Sequence, residues 1–525
     1  MRAVSRPRDR NVAGAAIAGL TGLGFLLPVV YLVTRSIGLG GDLIATVGSH
    51  DTVAPLLRSV GLAVVAAALS AVIGTVSAVL VGRTDLPGRR VLRVVLALPL
   101  AIPSFVGAAA LLVTFGPGGL ITFVPRLAGF GGALLVLTLL SYPYVYLLVF
   151  ARLRTTPPVL EESARQLGSH PGKVLLRVVL PQLRGAIGAG TMLVFLYVLS
   201  DFGAVSLMRY DTITRVIFSS RLADRPTSLT LGVLLVLLAL GVASIERVIR
   251  RDTAPAAMAD RRPPTYALKR FRYPAVVFVG AVVAGSLLAP IAAFVAWVGS
   301  GNAFLPELSS VVRPTLNSTV AAIVAGLAAA TLLLPLAYFA TRFRSRLGDA
   351  ASAVVTALFA VPGLAIALAM VFWAIQAPEP LAWLYQSFPL LIAAYVVHFG
   401  AQSLRATQAA VAAVPGNLDE VGSTLGVGRL RRFLRIELPL IAPGLISGGG
   451  LVMLSVLKEL PATLLLAPIG FGTLATRIWG AAADGFYGEV GVLALTTLLL
   501  SGLLTWLLVV RPTLGSGPGG GDFRP

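Results

Sequence analysis

Apolar stretches of twenty or more residues recur from one end of this chain to the other, and they fix its solvent before anything else. Runs of that length are the pattern of a bilayer-spanning, all-α polytopic protein. Composition agrees, with 57% apolar and 12% charged residues, where a soluble domain carries about a quarter charged. The net charge of +20 would suggest a nucleic-acid partner in a soluble protein. Here the Arg residues sit in short clusters between apolar runs, as topology signals do, so membrane lipid is the expected contact and nucleic acid is not. The chain has no Cys, which excludes disulfides, thiolate metal sites and a Cys nucleophile.

Met1 to Arg10 is basic and leads into an apolar run to about Val33. A secretory signal has an apolar core of only about 7–15 residues, so this run reads as a first transmembrane helix with the N-terminus inside. Counting on from there gives roughly twelve spans. Six lie near 12–34, 57–81, 92–114, 131–151, 185–207 and 228–246, and six near 274–298, 317–341, 352–375, 387–410, 441–466 and 489–510. With the N-terminus inside, Arg83, Arg89, Arg90, Arg93, Arg152, Arg154, Arg342, Arg344, Arg346, Arg431 and Arg432 fall on the cytoplasmic side, and both termini are cytoplasmic. The outside loops are poorer in Arg, although the one near 208–227 carries four. The expected division is a first unit at 1–248, a basic cytoplasmic linker at 249–273 marked by Pro255, Pro263 and Pro264, and a second unit at 274–525 ending in a short tail.

The two units resemble each other. Leu57, Ser59, Arg83 and Pro103 match Leu316, Ser318, Arg342 and Pro362 at an offset of 259, and Glu162, Gly168, Leu180 and Pro181 match Glu420, Gly426, Leu438 and Pro439 at 258. Six spans return the chain to the inside, so the repeats are parallel.

Between the fourth and fifth spans of each repeat lies a polar loop, 152–184 and 411–440. Their cores read EESARQLGSHPGKVLLRVVLPQL from Glu161 and DEVGSTLGVGRLRRFLRIELPLI from Asp419. Each has an acid, a Gly, a β-branched residue (Val178, Ile436) and Leu-Pro at matching spacing. The pattern reads as a short helix, a turn at Gly168 or Gly426 that other residues would resist, and a second helical stretch with Pro181 or Pro439 in the first turn of the next span. Such a helix, held between two spans and exposed to the cytoplasm, suits docking into a groove on another protein. Ordinary basic loops left similar by duplication are the plainer alternative, but retention of one spacing in otherwise diverged repeats favours docking.

This pattern resembles the EAA loop of binding-protein-dependent ABC importer permeases, and the resemblance covers nearly the whole chain as two fused permease units. It implies the type I importer fold and two copies of a separate ABC ATPase subunit contacting Glu161, Glu162, Ala164, Gly168, Leu180, Pro181, Asp419, Glu420, Gly426, Ile436, Leu438 and Pro439. It also implies an extracytoplasmic substrate-binding protein and a bacterial plasma (inner) membrane. Both copies depart from the small-residue pair after the acid, with Ser163-Ala164 in one and Val421-Gly422 in the other. KELPATLLLAPIGFGTLATRIW, Lys458 to Trp479, and SDFGAV, Ser200 to Val205, resemble the ferric-iron importer permeases, while thiamine and phosphonate importers share much of the architecture.

Asp201, Lys458 and Glu459 fall in or near the fifth spans, with Asp201 aligned to Glu459. A charge in hydrocarbon costs about 2.5–3.5 kcal/mol on insertion scales, so these residues point to the translocation pathway or its gate, or else to a contact between repeats. GSHPGKV, Gly168 to Val174, is no P-loop, since Leu167 stands where the first Gly belongs and Val174 where Mg²⁺ needs Ser or Thr. His50, His170 and His398 are dispersed, so no metal site, cofactor or catalytic constellation is expected, and the chain reads as a transport subunit rather than an enzyme. The rival of another class is an ion-gradient-driven secondary transporter with two six-span halves. It leaves the duplicated loop unexplained.

Overall fold

The computed structural model describes residues 12–38, 40–116, 118–121, 127–155, 159–221, 223–251, 265–299, 306–343, 345–415, 418, 424 and 428–507. Among these the chain is almost wholly helical, with one isolated bridge between Thr84 and Tyr266. The first repeat gives α1 (Val12–Ile37), α2 (Gly41–Gly48), α3 (His50–Arg83), α4 (Arg89–Val95), α5 (Ser104–Phe115), α6 (Gly129–Thr155), α7 (Val159–Gln166), α8 (Pro171–Val174), α9 (Leu180–Ser200), α10 (Gly203–Leu207), α11 (Ile213–Ser220) and α12 (Arg225–Arg251). The second gives α13 (Arg272–Val283), α14 (Ala289–Gly299), α15 (Leu308–Phe343), α16 (Arg346–Leu358), α17 (Gly363–Ile375), α18 (Phe388–Ala413), α19 (Arg429–Arg432), α20 (Leu438–Val456), α21 (Pro461–Leu466), α22 (Leu474–Asp484) and α23 (Tyr487–Thr505).

Among the described residues nine helices are long and apolar enough to cross a bilayer, or eleven spans if two bent pairs each count as one. The expected span near 387–410 is α18. Its 26 residues suffice in length, and His398, Gln402, Arg405 and Gln408 make it more polar than the others. The spans expected near 92–114 and 352–375 are broken rather than straight. The chain turns by 89° before α5 and by 105° between α16 and α17. Pro103 and Pro362 cap α5 and α17, and a proline's ring and missing N–H end a helix on its N-terminal side.

Three other prolines are absorbed without a break. Leu175–Val179, Ala284–Leu288 and Phe433–Glu437 are π-helical, and each is followed immediately by Leu180-Pro181, Ala289-Pro290 or Leu438-Pro439. In each case the residue before Pro donates five residues back, Leu180 to Leu175 O, Ala289 to Ala284 O and Leu438 to Phe433 O. The wider turn makes room for the ring where an α-turn would drive it into the carbonyl four residues earlier. Leu-Pro therefore does not begin a span, as its sequence suggests. It lies within a helix that runs without interruption from Gly172 to Ser200 in the first repeat.

Two compact units form. One comprises 1–34, 314–473 and 499–525, the other 35–313 and 474–498. Each unit thus takes its leading span from the opposite repeat: α1 belongs with α15 to α21, and α13 and α14 belong with α3 to α12. In the first unit Tyr31 of α1 donates to Phe372 O at 2.9 Å, and α15 crosses α20 so closely that a Cβ on Gly326 would lie 2.7 Å from Gly449 O. In the second, a Cβ on Gly74 of α3 would lie 2.8 Å from Tyr142 O of α6. Small residues at such crossings let backbones approach, which drives helix association where lipid offers no hydrophobic gain.

Candidate functional site

The loop of the first repeat builds a compact helical turn. Glu161 and Glu162 in the first turn of α7 complement the helix dipole. The helix stops at Gly168, whose φ of +79° places it in the left-handed region. Gly168 N donates to Arg165 O at 2.9 Å and Ser169 N to Ala164 O at 3.0 Å, the paired bonds of a glycine-terminated helix end. His170 then caps α8, its Nδ1 accepting from Gly172 N at 3.2 Å, with Pro171 in the first turn.

α7 has two different faces. Leu167 is 86% exposed, and Val159, Leu160, Ser163, Gln166 and Gly168 are exposed beside it. Glu162, Ala164 and Leu180 are half-buried and Pro181 is exposed. Glu161 points the other way and is fully buried. Its Oε1 accepts from Arg83 Nε at 3.2 Å and pairs with Arg83 Nη2 at 3.1 Å, and its Oε2 accepts from the Tyr266 hydroxyl at 2.8 Å. Arg83, at the end of α3, also donates to Leu153 O in the last turn of α6 at 2.9 Å. Burial, and then the neighbouring Glu161 carboxylate, raise the Tyr266 phenol above its ordinary range, so it stays the proton donor. Removing one member of such a buried pair costs about 3–5 kcal/mol, because the other charge is left without a partner. Sequence patterning placed Glu161 beside Glu162 as an equal; their opposite orientation follows from adjacency on a helix, where successive side chains diverge.

In the second loop Asp419, Glu420 and Gly426 lie outside the described residues. Leu438 is half-buried and Pro439 exposed, as Leu180 and Pro181 are, whereas Ile436 is exposed and its counterpart Val178 half-buried. A residue that motif reading passed over, Glu437, is buried there. Its Oε2 accepts from the Tyr338 hydroxyl at 2.7 Å, its Oε1 lies 3.6 Å from Arg432 Nε, and Phe433 meets the Tyr338 ring edge-on. The available signal was an acid set among Arg431, Arg432 and Arg435 directly before Leu-Pro.

Asp201 and Glu459 occupy matching places at the ends of α9 and α20, both 8% exposed. Asp201 Oδ1 accepts from Ala204 N at 2.9 Å and Val205 N at 3.3 Å. Glu459 Oε1 accepts from Ala462 N at 3.1 Å. Their carbonyls accept from Thr214 at 2.6 Å and Thr463 at 2.9 Å. The acids thus replace backbone partners where the fifth span breaks, which explains how a carboxylate is tolerated at that depth. Ser104 stands buried at the N-terminus of α5. Its repeat counterpart is Gly363, where a Cβ would sit 3.0 Å from Glu459 Oε1 and 3.1 Å from His398 Nε2. The shorter acid goes with a Ser in its repeat, and the longer acid is given room by a missing side chain. Lys458 is partly exposed beside Glu459. Nothing in motif or spacing joins His398 to this group. Among the described residues no three acids or histidines gather as a metal site.

At the opposite end of α3 from Arg83, a cavity of about 300 Å³ is lined by His50, Asp51, Arg58, Asp211 and Asp224 among others. The 34 residues of α3 put about 50 Å between the two ends.

Two stretches, 72–254 and 322–510, match the family described as binding-protein-dependent transport system inner membrane component. The chain is 29% identical over 499 residues to the Fe(3+)-transport system permease protein FbpB 2 of Haemophilus influenzae, covering 93% of this chain and 96% of that protein. It is 24% identical over 480 residues to a probable ABC transporter permease protein, y4fN, of Sinorhizobium fredii, covering 82% and 83%. A molybdenum transport system permease protein, ModB, of Mycobacterium tuberculosis is 34% identical over 196 residues, which is 35% of this chain and 74% of that one. Two family units in one chain, the repeated loop and the bilayer-length helices lead to one conclusion: this chain belongs to the binding-protein-dependent transport system inner membrane components, and is a fused, multi-pass permease of an ABC importer.

Proposed function

We propose that the chain is the membrane subunit through which two separate ATPase subunits drive uptake of ferric iron delivered by an external binding protein. The observation that carries the coupling role is the outward face of α7, where Leu167, Leu160 and Val159 stand exposed on a helix whose other face is locked to α3. Glu162, Ala164 and Gly168 complete that contact, and Asp419, Glu420, Gly426, Ile436, Leu438 and Pro439 serve the second ATPase subunit. The Arg clusters around both loops support a cytoplasmic placement with both termini inside. On that orientation the charged cavity at the far end of α3 faces the binding protein. Near-full-length similarity to a ferric-iron permease supports the cargo. Asp201, Lys458 and Glu459, at the breaks of the fifth spans, belong to the pathway or its gate.

Binding-protein docking and ATP-driven closure favour the same conformation, so two remote sites become coupled. The test is uptake into vesicles holding the chain with and without its ATPase subunits and binding protein. Uptake that needs all three and ATP supports the reading; gradient-driven uptake by the chain alone overturns it. Because molybdenum and sulfate permeases match about a third of the chain, ferric iron competes against molybdate and sulfate in the same assay. Transport of an oxyanion in preference to iron overturns the cargo.

A further inference from the structure

We infer that Tyr266 is a positioning residue for α7: the return of the chain toward the second repeat, at 265–268, clamps the docking helix to the end of α3 and ties it to the helix that starts at Lys269. The clamp has five contacts. Tyr266 N donates to Arg83 O at 2.7 Å, and its carbonyl accepts from Asp85 N at 3.2 Å. Leu268 N donates to Asp85 Oδ1 at 2.8 Å. The hydroxyl takes the second oxygen of Glu161, whose first oxygen already belongs to Arg83. The Arg165 guanidinium lies 5.8 Å from the centre of the Tyr266 ring.

Three distant stretches therefore meet at one carboxylate: 83–85, 161–165 and 266–268. Only Ala267 and Leu268 separate Tyr266 from the turn Lys269–Phe271 that opens directly into α13. Two residues leave little slack, so a shift of α13 is carried to Glu161, and a push on the exposed face of α7 is carried to α13. The connection between the repeats is then part of the coupling apparatus rather than a passive tether. The inference rests on α7 being the ATPase-docking helix.

The test uses Tyr266→Phe in the full chain, which keeps the ring and removes one hydroxyl. In the purified protein, amides of 159–166 are expected to exchange hydrogen about tenfold faster, with α9 unchanged. In vesicles holding the ATPase subunits and binding protein, the stimulation of ATP hydrolysis by the binding protein is expected to fall about threefold while the ATPase subunits still co-purify. Asp85→Ala, at an exposed position, loosens the same return and is expected to raise α7 exchange about threefold. Unchanged exchange in both variants overturns the clamp. Faster exchange with full binding-protein stimulation reduces Tyr266 to a structural contact and overturns its role in coupling. Failure of the wild-type chain to hold ATPase subunits overturns the docking reading instead, and the exchange measurement still decides the clamp.

Discussion

The two loops carry one motif and are held down by different means. In the first, an ion pair between Arg83 and Glu161 at the start of α7 is completed by Tyr266 from the connection between the repeats. In the second, Glu437 is held at the base of the next span by Tyr338 and Arg432. The first-repeat positions that match Tyr338 and Glu437 are Val79 and Val179, both buried. The two copies share the outline of the loop, and where the second sets a Tyr–Glu pair the first sets two valines. A buried Tyr–Glu bond and two valines are each self-consistent, while a mixture of them strands a polar group.

That comparison can be broken by experiment. Arg83→Ala leaves Glu161 charged and buried, and is expected to destabilise the purified chain by about 3–5 kcal/mol in denaturant unfolding. A smaller loss would mean that Tyr266 alone suffices for the carboxylate. Tyr338→Val should cost about 1–3 kcal/mol by stranding Glu437. Adding Glu437→Val should restore much of it, giving a coupling of about 1 kcal/mol or more in a double-mutant cycle. Additive losses would show that the two positions do not form a unit. Gly363→Ser forces a side chain toward Glu459 and His398 and should cost about 1–3 kcal/mol, relieved when paired with Glu459→Asp, the combination already present in the first repeat. The smallest effect concerns pH. The Tyr266 phenol is raised above its ordinary value, so its bond to Glu161 is fully present below that ordinary value and is lost only as pH climbs through the raised one. The stability gap between wild type and Tyr266→Phe should therefore stay flat from about pH 6 to 9. A gap that closes within that window would show that the hydroxyl is not the donor.

The spans, the parallel repeat and the loop motif were legible because each is written in local spacing: bilayer-length apolar runs, fixed offsets, an acid and a Gly before Leu-Pro. Pro103 and Pro362 were visible as a matched pair, but the sharp turns they cap were not, since proline in a membrane helix also produces mild kinks or none. The π-turns before Pro181, Pro290 and Pro439 were equally hidden, because the same dipeptide can open a helix or interrupt one. In the candidate site, Gly168 was readable from its type alone. The bond from Tyr266 to Glu161 spans 105 residues and the Tyr338 bond to Glu437 spans 99, and no periodicity reaches that far. His398 looked isolated because its neighbour Glu459 lies at the break after α20 and is brought near by a glycine.

The interleaving of the compact units sets a schedule for assembly. The unit that receives α1 is otherwise made of residues from 314 onward, so the 279 residues 35–313 separate its two parts. At about 5–20 residues per second of synthesis, α1 waits roughly 14–56 s in the bilayer before the helices it belongs with exist. It can wait because lipid tails solvate an apolar helix as well as another helix does, and its backbone is already satisfied. Synthesis order and packing order therefore differ along this chain: α1 is made well before the helices it packs with.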